Sequence, residues 1–130
     1  MSSYRQFYIT KKNGKRRRIC APDAELLAYQ RSILPKLTSY FCTRELSVLG
    51  CQCFHGFVRN RNCVTAALEH RNYAHTIMLD ISNCFDSIQY SHIDMSQNIA
   101  IDPTMVTHKD GSLAQGFATS PILANLYLLN

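Results

Sequence analysis

Residues 79–88 read LDISNCFDSI and place two aspartates, Asp80 and Asp86, in an otherwise apolar stretch. The apolar residues around the first aspartate, IMLDI at 77–81, predict a buried β-strand that carries Asp80 near its end. An ionised carboxylate in such a position costs several kcal/mol unless it is paired or coordinates a metal ion. Asp80 is therefore a candidate metal ligand, and the alternative is an aspartate that stabilises a turn at the strand end.

A single carboxylate at a strand end suits Mg²⁺, which takes oxygen ligands and keeps room for substrate phosphates. The backbone carbonyl of Ile81 could supply a second oxygen. Basic residues elsewhere in the chain would then neutralise the phosphates that the metal bridges, as in phosphoryl transfer. For Asp86, which precedes Ser87 in a predicted strand-to-helix turn, a structural role is the simpler interpretation.

The most basic part of the chain is residues 11–18, KKNGKRRR, where six of eight residues are cations. Two β-rich runs flank Asn13-Gly14, a dipeptide that favours a hairpin with a type I′ turn. Lysines often protect the exposed edge of a sheet, which is one interpretation of this hairpin. Six cations so close together exceed what edge protection needs, so a hairpin that grips phosphate groups is at least as well supported.

The overall charge also favours a polyanionic partner, because 14 Lys and Arg residues face nine acidic ones and give a net charge of +5. No apolar run approaches the ~20 residues needed to span a bilayer. The N-terminal residues lack the apolar segment of a secretory signal. We therefore expect a cytoplasmic protein without a membrane partner, whose six cysteines are reduced thiols. The C-x-C-x-H spacing at 51–55 does not match a usual zinc site.

The pattern of apolar residues predicts an α+β protein. The first helix is expected over 22–41, with Asp23 as its cap and a kink or break at Pro35. The following stretch, 44–62, is rich in turn residues and is predicted to be mostly loop. Ser120 and Pro121 mark the start of a last helix, whose apolar end we expect to be exposed. The further predicted elements are helices over 61–70 and 91–100, a strand over 73–81, and a hairpin at Asp110-Gly111.

Four blocks of this sequence occur in an order that is typical of one enzyme family: KKNGKRRRICAP at 11–22, HGFVRNR at 55–61, LDISNCFDSI at 79–88 and QGFATSPILANL at 115–126. The chain resembles the bacterial-type reverse transcriptases, those of retrons, group II introns and related elements. The resemblance implies the fingers of a right-hand polymerase with part of the palm. Residues 1–72 would form a fingers-like region with the basic hairpin. Residues 73–130 would form a partial palm, with an incomplete antiparallel sheet packed with helices.

The resemblance also implies roles for individual residues. Asp80 matches the first metal-binding aspartate of the family, and Ile81 matches the residue that lends its carbonyl to Mg²⁺. Phe85 matches the aromatic residue that packs under the incoming sugar and discriminates against a 2′-hydroxyl. The residues implied in binding the incoming nucleotide are Lys11, Lys12, Arg17, Phe85, Gln115 and Gly116, of which Gln115 and Gly116 also line the template. The residues implied in binding nucleic acid are Lys15, Arg16, Arg18, Arg59 and Arg61.

An RNA-directed DNA polymerase of this kind would use an RNA template, a DNA primer or nascent DNA, dNTPs and Mg²⁺. Two departures from the family pattern matter. Ala118 stands where the family usually has proline, and the family's paired aspartates (Y-x-D-D) do not occur in these 130 residues. Two-metal catalysis needs carboxylates from two strands. We therefore expect a chain that is inactive alone, with a second polypeptide as a candidate source of the missing palm and thumb. The alternative is a non-catalytic nucleic-acid-binding module or remnant derived from a reverse transcriptase.

Overall fold

The computed structural model describes residues 3–95 and 99–130, and these form an α+β structure, as the sequence predicts. The described residues contain one two-stranded antiparallel sheet and four α-helices, along with the short 3₁₀ turns Tyr90–His92 and Pro103–Met105. No helix in this described part is both long and apolar enough to cross a bilayer. The elements in chain order are β1 (Tyr4–Thr10), β2 (Arg16–Pro22), α1 (Ala24–Leu49), α2 (Cys63–His70), α3 (Cys84–Ser87) and α4 (Ser120–Tyr127).

The basic hairpin is confirmed, since β1 and β2 pair antiparallel from Tyr4 opposite Pro22 to Thr10 opposite Arg16. Its turn differs from the predicted type I′ geometry. Gly14 alone has a positive φ there, at 78°, and the N–H of residue 11 donates to the carbonyl of residue 15. This pattern is a three-residue loop with glycine in the left-handed position, the next commonest hairpin connection.

Helix α1 is longer than the sequence predicts, and it continues through Pro35 without a break. Its start is as expected, because the Asp23 carboxylate accepts a hydrogen bond from the N–H of Leu26. Residues 44–49, predicted as loop, form its last turns, which end at Gly50 with φ 66°. The loop prediction is confirmed for 50–62 and wrong for 44–49. Tertiary contacts of Glu45 stabilise these last turns, and local periodicity does not reveal such contacts.

Helix α4 lies in the core and packs against α1 and α3. Residues 122–126 and Leu129 are buried, so of the apolar end that was expected to be exposed only Leu128 is, at 44%. The reason is that Leu37 and Phe41 of α1 are themselves fully buried in the cluster that includes α4. The helix begins at Ser120. Its N-cap is Thr119, not Ser120 as the sequence suggested.

The segment 74–81 forms no strand, which corrects the prediction for 73–81. It makes no backbone hydrogen bond to any described residue. Three of its apolar side chains are almost wholly exposed, 86% for Ile77, 92% for Met78 and 89% for Leu79, and Ile81 is 53% exposed. A strand forms only where a neighbouring strand satisfies its N–H and carbonyl groups, and the described residues offer no such neighbour.

Three predicted elements remain. The helix expected over 61–70 is confirmed as α2, which spans Cys63–His70. At Asp110-Gly111 the chain does turn back, since the N–H of Gly111 donates to the carbonyl of His108 at 3.0 Å and Thr107 pairs with Leu113. For the helix predicted over 91–100, the described part shows only a 3₁₀ turn at its start. Residues 96–98 of that prediction lie outside the described residues.

Candidate functional site

A cavity of about 380 Å³ lies between the turn of the basic hairpin and the segment that follows Asp80. The structure brings into it eight of the thirteen site residues that the sequence suggested: Lys11, Lys15, Arg16, Arg17, Asp80, Ile81, Phe85 and Gln115. These residues come from three separate parts of the chain. The other five, Lys12, Arg18, Gly116, Arg59 and Arg61, do not line this cavity.

The cavity is positively charged. Four cationic side chains line it, from Lys11, Lys15, Arg16 and Arg17, and none of them forms an ion pair within the described chain. Two carboxylates face these cations, and Asp86 already forms an ion pair with an arginine outside the cavity. A concave surface with such a surplus of positive charge attracts polyanions such as a triphosphate.

The arginine that neutralises Asp86 is Arg18, whose Nη2 donates to the Oδ1 of Asp86 at 2.7 Å. Its Nη1 also lies 3.7 Å from a carboxylate oxygen of Asp110. The hydrogen bond that the Arg18 guanidinium donates to Asp86 is the main cause that raises the pKa of Arg18. Arg18 thus joins β2 to α3 and to the turn at residue 110, and any phosphate bound here would compete with two carboxylates.

The carboxylate of Asp80 is exposed and forms no hydrogen bond or ion pair with a described residue. Its charge, after the larger effect of burial, raises the pKa of the nearby Cys84 thiol. Within residues 3–95 and 99–130, no three His, Cys, Asp or Glu side chains group together as metal ligands. Mg²⁺ is often held by one or two carboxylates together with substrate phosphates and water. The donors here therefore fit an Mg²⁺ ion that binds together with a nucleotide.

Phe85 lies on α3 at the boundary between the cavity and the core. Its side chain is half-buried and packs against the main hydrophobic cluster. The turn before α3 depends on Asn83, which has φ 50° and is one of the few residue types that tolerate this conformation. The ring is therefore held on one side by the core while its other side lines the cavity.

Gly116 does not line the cavity, but it determines how the preceding Gln115 reaches it. The carbonyl of Gln115 accepts a hydrogen bond from the N–H of Cys20 in β2 at 2.8 Å. Gly116 has φ 112°, and a Cβ at this position would overlap the carbonyl oxygen of Cys20. The close approach that glycine permits here is thus an approach to β2, which places the 115–118 segment against the hairpin.

The two arginines of the HGFVRNR block have different environments. Arg61 is nearly buried, and its Nη1 donates to both carboxylate oxygens of Glu45 at 2.8 Å and to the carbonyl of Phe54 at 2.7 Å. Arg59 is exposed and forms no ion pair with a described residue. Only Arg59 is therefore free to meet a phosphate without breaking an internal contact.

The structure adds four cavity residues that sequence reasoning did not single out. Asn13 lies in the hairpin turn, where its side chain accepts from the N–H of Lys15. The other three, Ser82, Asn83 and Cys84, connect Asp80 to Phe85 and line the cavity with them. The sequence signal that could have identified these three residues is their position between the candidate site residues Asp80 and Phe85.

Comparison with known proteins finds a distant similarity to one enzyme class. The chain is 31% identical over 90 residues to the Retron Mx162 reverse transcriptase of Myxococcus xanthus. The matched stretch covers 69% of this chain and 17% of that protein, so this chain spans a small part of the relative's length. No protein-family model matches the chain, and no solved structure matches it. The similarity supports a relationship between this chain and the reverse transcriptases.

Proposed function

We propose that this chain is the nucleotide-binding and template-binding part of a reverse transcriptase, that is, of an RNA-directed DNA polymerase. Residues 1–72 would act as fingers and residues 73–130 as part of the palm. One observation carries the proposal. Four cations and a carboxylate without a partner among the described residues line the same cavity as a half-buried aromatic ring and Gln115, although they are distant in sequence.

In this proposal the hairpin binds the triphosphate of a dNTP. Arg17 offers two parallel N–H donors to phosphate oxygens, and Lys11 and Lys12 add charge at the turn. Asp80 and the carbonyl of Ile81 would hold Mg²⁺, which would neutralise charge on the phosphates when it is bound.

Phe85 would contact the sugar of the same nucleotide. Its ring is packed against the core on one side and therefore has little room to retreat from an extra hydroxyl. A deoxynucleotide would fit against this ring better than a ribonucleotide. Gln115, which lines the same cavity, would lie beside the nascent base pair.

A second candidate function is a nucleic-acid-binding module without catalysis. The observation that favours it is the small number of carboxylates in the first cavity. Asp80 and Asp86 are the acidic residues of the cavity, and Asp86 is engaged by Arg18. Two-metal catalysis uses carboxylates from two strands to hold both ions. Catalysis would therefore require acidic residues beyond those of this cavity, and a second polypeptide is one source that we propose for them.

The segment 74–81 is a suitable place for that second polypeptide to bind. It has unpaired backbone groups and exposed apolar side chains, which together accept an added β-strand. We expect Met78→Lys, which changes the most exposed of these side chains, to prevent association with such a partner while thermal unfolding of the chain stays unchanged. Co-purification with the partner tests this, and Leu128→Lys on the partly exposed end of the chain is the control. Undiminished association would contradict the assignment of this segment.

The proposed function predicts that single-stranded RNA binds with a steep salt dependence. Each phosphate neutralised on a single strand contributes about 0.7 to the slope of log K against log salt. Without dNTP both arginines are available to RNA phosphates, so replacing Arg16 and Arg17 by alanine should reduce the slope by about 1.4. Asp80→Ala should leave it nearly unchanged, because a metal ligand does not pair with phosphate directly. Fluorescence anisotropy at several salt concentrations measures both variants.

Binding of Mg²⁺–dNTP then separates the two candidate functions. The polymerase predicts that the chain binds Mg²⁺–dATP more tightly than Mg²⁺–ATP, and that Phe85→Ala removes this preference. The non-catalytic module predicts RNA binding without a nucleotide preference. An RNA-binding slope that the double arginine variant leaves unchanged would contradict both.

A further inference from the structure

A second cavity, of about 640 Å³, lies between α1, the loop around Phe57 and the start of α4. Its walls are mostly apolar, with Leu34 and Pro35 on α1 and Ile122 on α4. The loop contributes Phe57 and Arg59 at one side. This arrangement combines an apolar slot, a flat aromatic ring and an unpaired guanidinium in one place.

Phe57 has an unfavourable conformation and gains little from burial. Its φ is 61°, in the left-handed region, and 71% of its side chain is exposed. The left-handed conformation carries an energetic cost for a residue with a Cβ. An exposed aromatic ring recovers little of that cost through burial, and such strain is found preferentially at functional sites.

The loop that presents Phe57 is anchored on both sides. The side chain of Asn125 in α4 donates to the carbonyl of Gly56 at 2.9 Å. On the other side Val58 is buried in the core, and its carbonyl accepts the N–H of Arg61. The exposed ring is therefore held in place by neighbours that do not cover it, which is the arrangement of a preorganised contact.

The second cavity adjoins the first through the 115–118 segment. Gln115 lines the first cavity and Ala118 lines the second. The N–H of Ala118 donates to the buried side chain of Gln30, whose amide donates in turn to the carbonyl of Met105. A strand of nucleic acid that passes over this fixed segment could thus contact both cavities.

We propose that Phe57 and Arg59 form a stacking site for one nucleobase of single-stranded RNA, at the mouth of the second cavity. The base stacks on the Phe57 ring, and Arg59 pairs with the adjoining phosphate, as in other single-strand binding grooves. The positive charge of the chain and of Arg59 favours this occupant over an apolar protein segment. This inference rests on the proposed function, in which the bound strand is the template.

The test compares RNA binding by the full chain and by Phe57 variants. Loss of one stacked base should weaken binding about 5- to 150-fold in Phe57→Ala, and Phe57→Trp should retain binding. The salt slope should stay unchanged, because the ring contacts no phosphate, whereas Arg59→Ala should lower it by about 0.7. Phe57→Gly serves as a folding control, since glycine accepts a positive φ and should not lower the melting temperature.

An abasic RNA of the same length decides whether the ring contacts a base. The wild type should bind it more weakly than the normal RNA, and Phe57→Ala should cause no further loss. An equal loss on both RNAs, or no loss on either, would overturn the stacking site.

The failure of this inference differs from the failure of the proposed function. If RNA binding depends on Arg16 and Arg17 but is unaffected by Phe57→Ala, the stacking site is overturned and the proposed function stands. No RNA binding by the wild type would overturn the proposed function with it. Self-association that depends on Phe57, with RNA binding unchanged, would assign the cavity to a protein partner and contradict the proposal.

Discussion

Replacing Arg61 by alanine is expected to lower the free energy of unfolding by about 3–5 kcal/mol, the usual cost of removing one partner of a buried ion pair. Glu45 has no exposed surface, and its carboxylate accepts from Arg61 and from the N–H of Phe54. Without the guanidinium, a charged carboxylate would remain buried with a single donor. Urea denaturation of the wild type and the variant measures the loss.

Arg59→Ala is a matched control for this effect. Arg59 lies two residues away, carries the same side chain, is exposed and forms no ion pair with a described residue. A substitution of this kind usually changes stability by less than about 0.5 kcal/mol. Equal losses for the two variants would show that the buried pair with Glu45 does not stabilise the end of α1.

Gly116→Ala is expected to destabilise the chain by about 2–5 kcal/mol. Part of the loss comes from the backbone, since φ 112° is strained for any residue with a side chain. The rest comes from overlap of the new Cβ with the carbonyl oxygen of Cys20, which must move for the methyl group to fit. Because this movement displaces β2 from Gln115, nucleotide binding at the first cavity should weaken as well.

Gly50→Ala separates the two contributions. Gly50 also has a positive φ, of 66°, but no atom lies within 4 Å of the position that a Cβ would take. This variant should therefore lose only the conformational part, about 1–2 kcal/mol. Thermal and urea unfolding of both variants provide the comparison. A loss at Gly116 no larger than that at Gly50 would contradict the role assigned to the contact with Cys20.

Much of the candidate site follows from the sequence, because its parts are short local signals. The concentration of cations beside Asn13-Gly14 predicts a basic hairpin, and the resemblance to reverse transcriptases makes Asp80 a candidate metal ligand. Local signals do not show which charged side chains form ion pairs with each other in the folded chain. Arg17 lines the cavity and is unpaired within the described chain, while the adjacent Arg18 is held by Asp86 and Asp110.

The α+β class, the hairpin and the start of α1 follow from the sequence, since turn residues and the Asp23 cap act over a few neighbouring positions. The remaining features depend on tertiary contacts. Helix α1 extends to Leu49 because Glu45 meets Arg61, which lies 16 positions further along the chain. The segment 74–81 has the composition of a strand but forms none, since its hydrogen bonds require a neighbouring strand that the described residues do not provide. Pairing of charges and of strands depends on distant residues, and composition along the chain does not specify those partners.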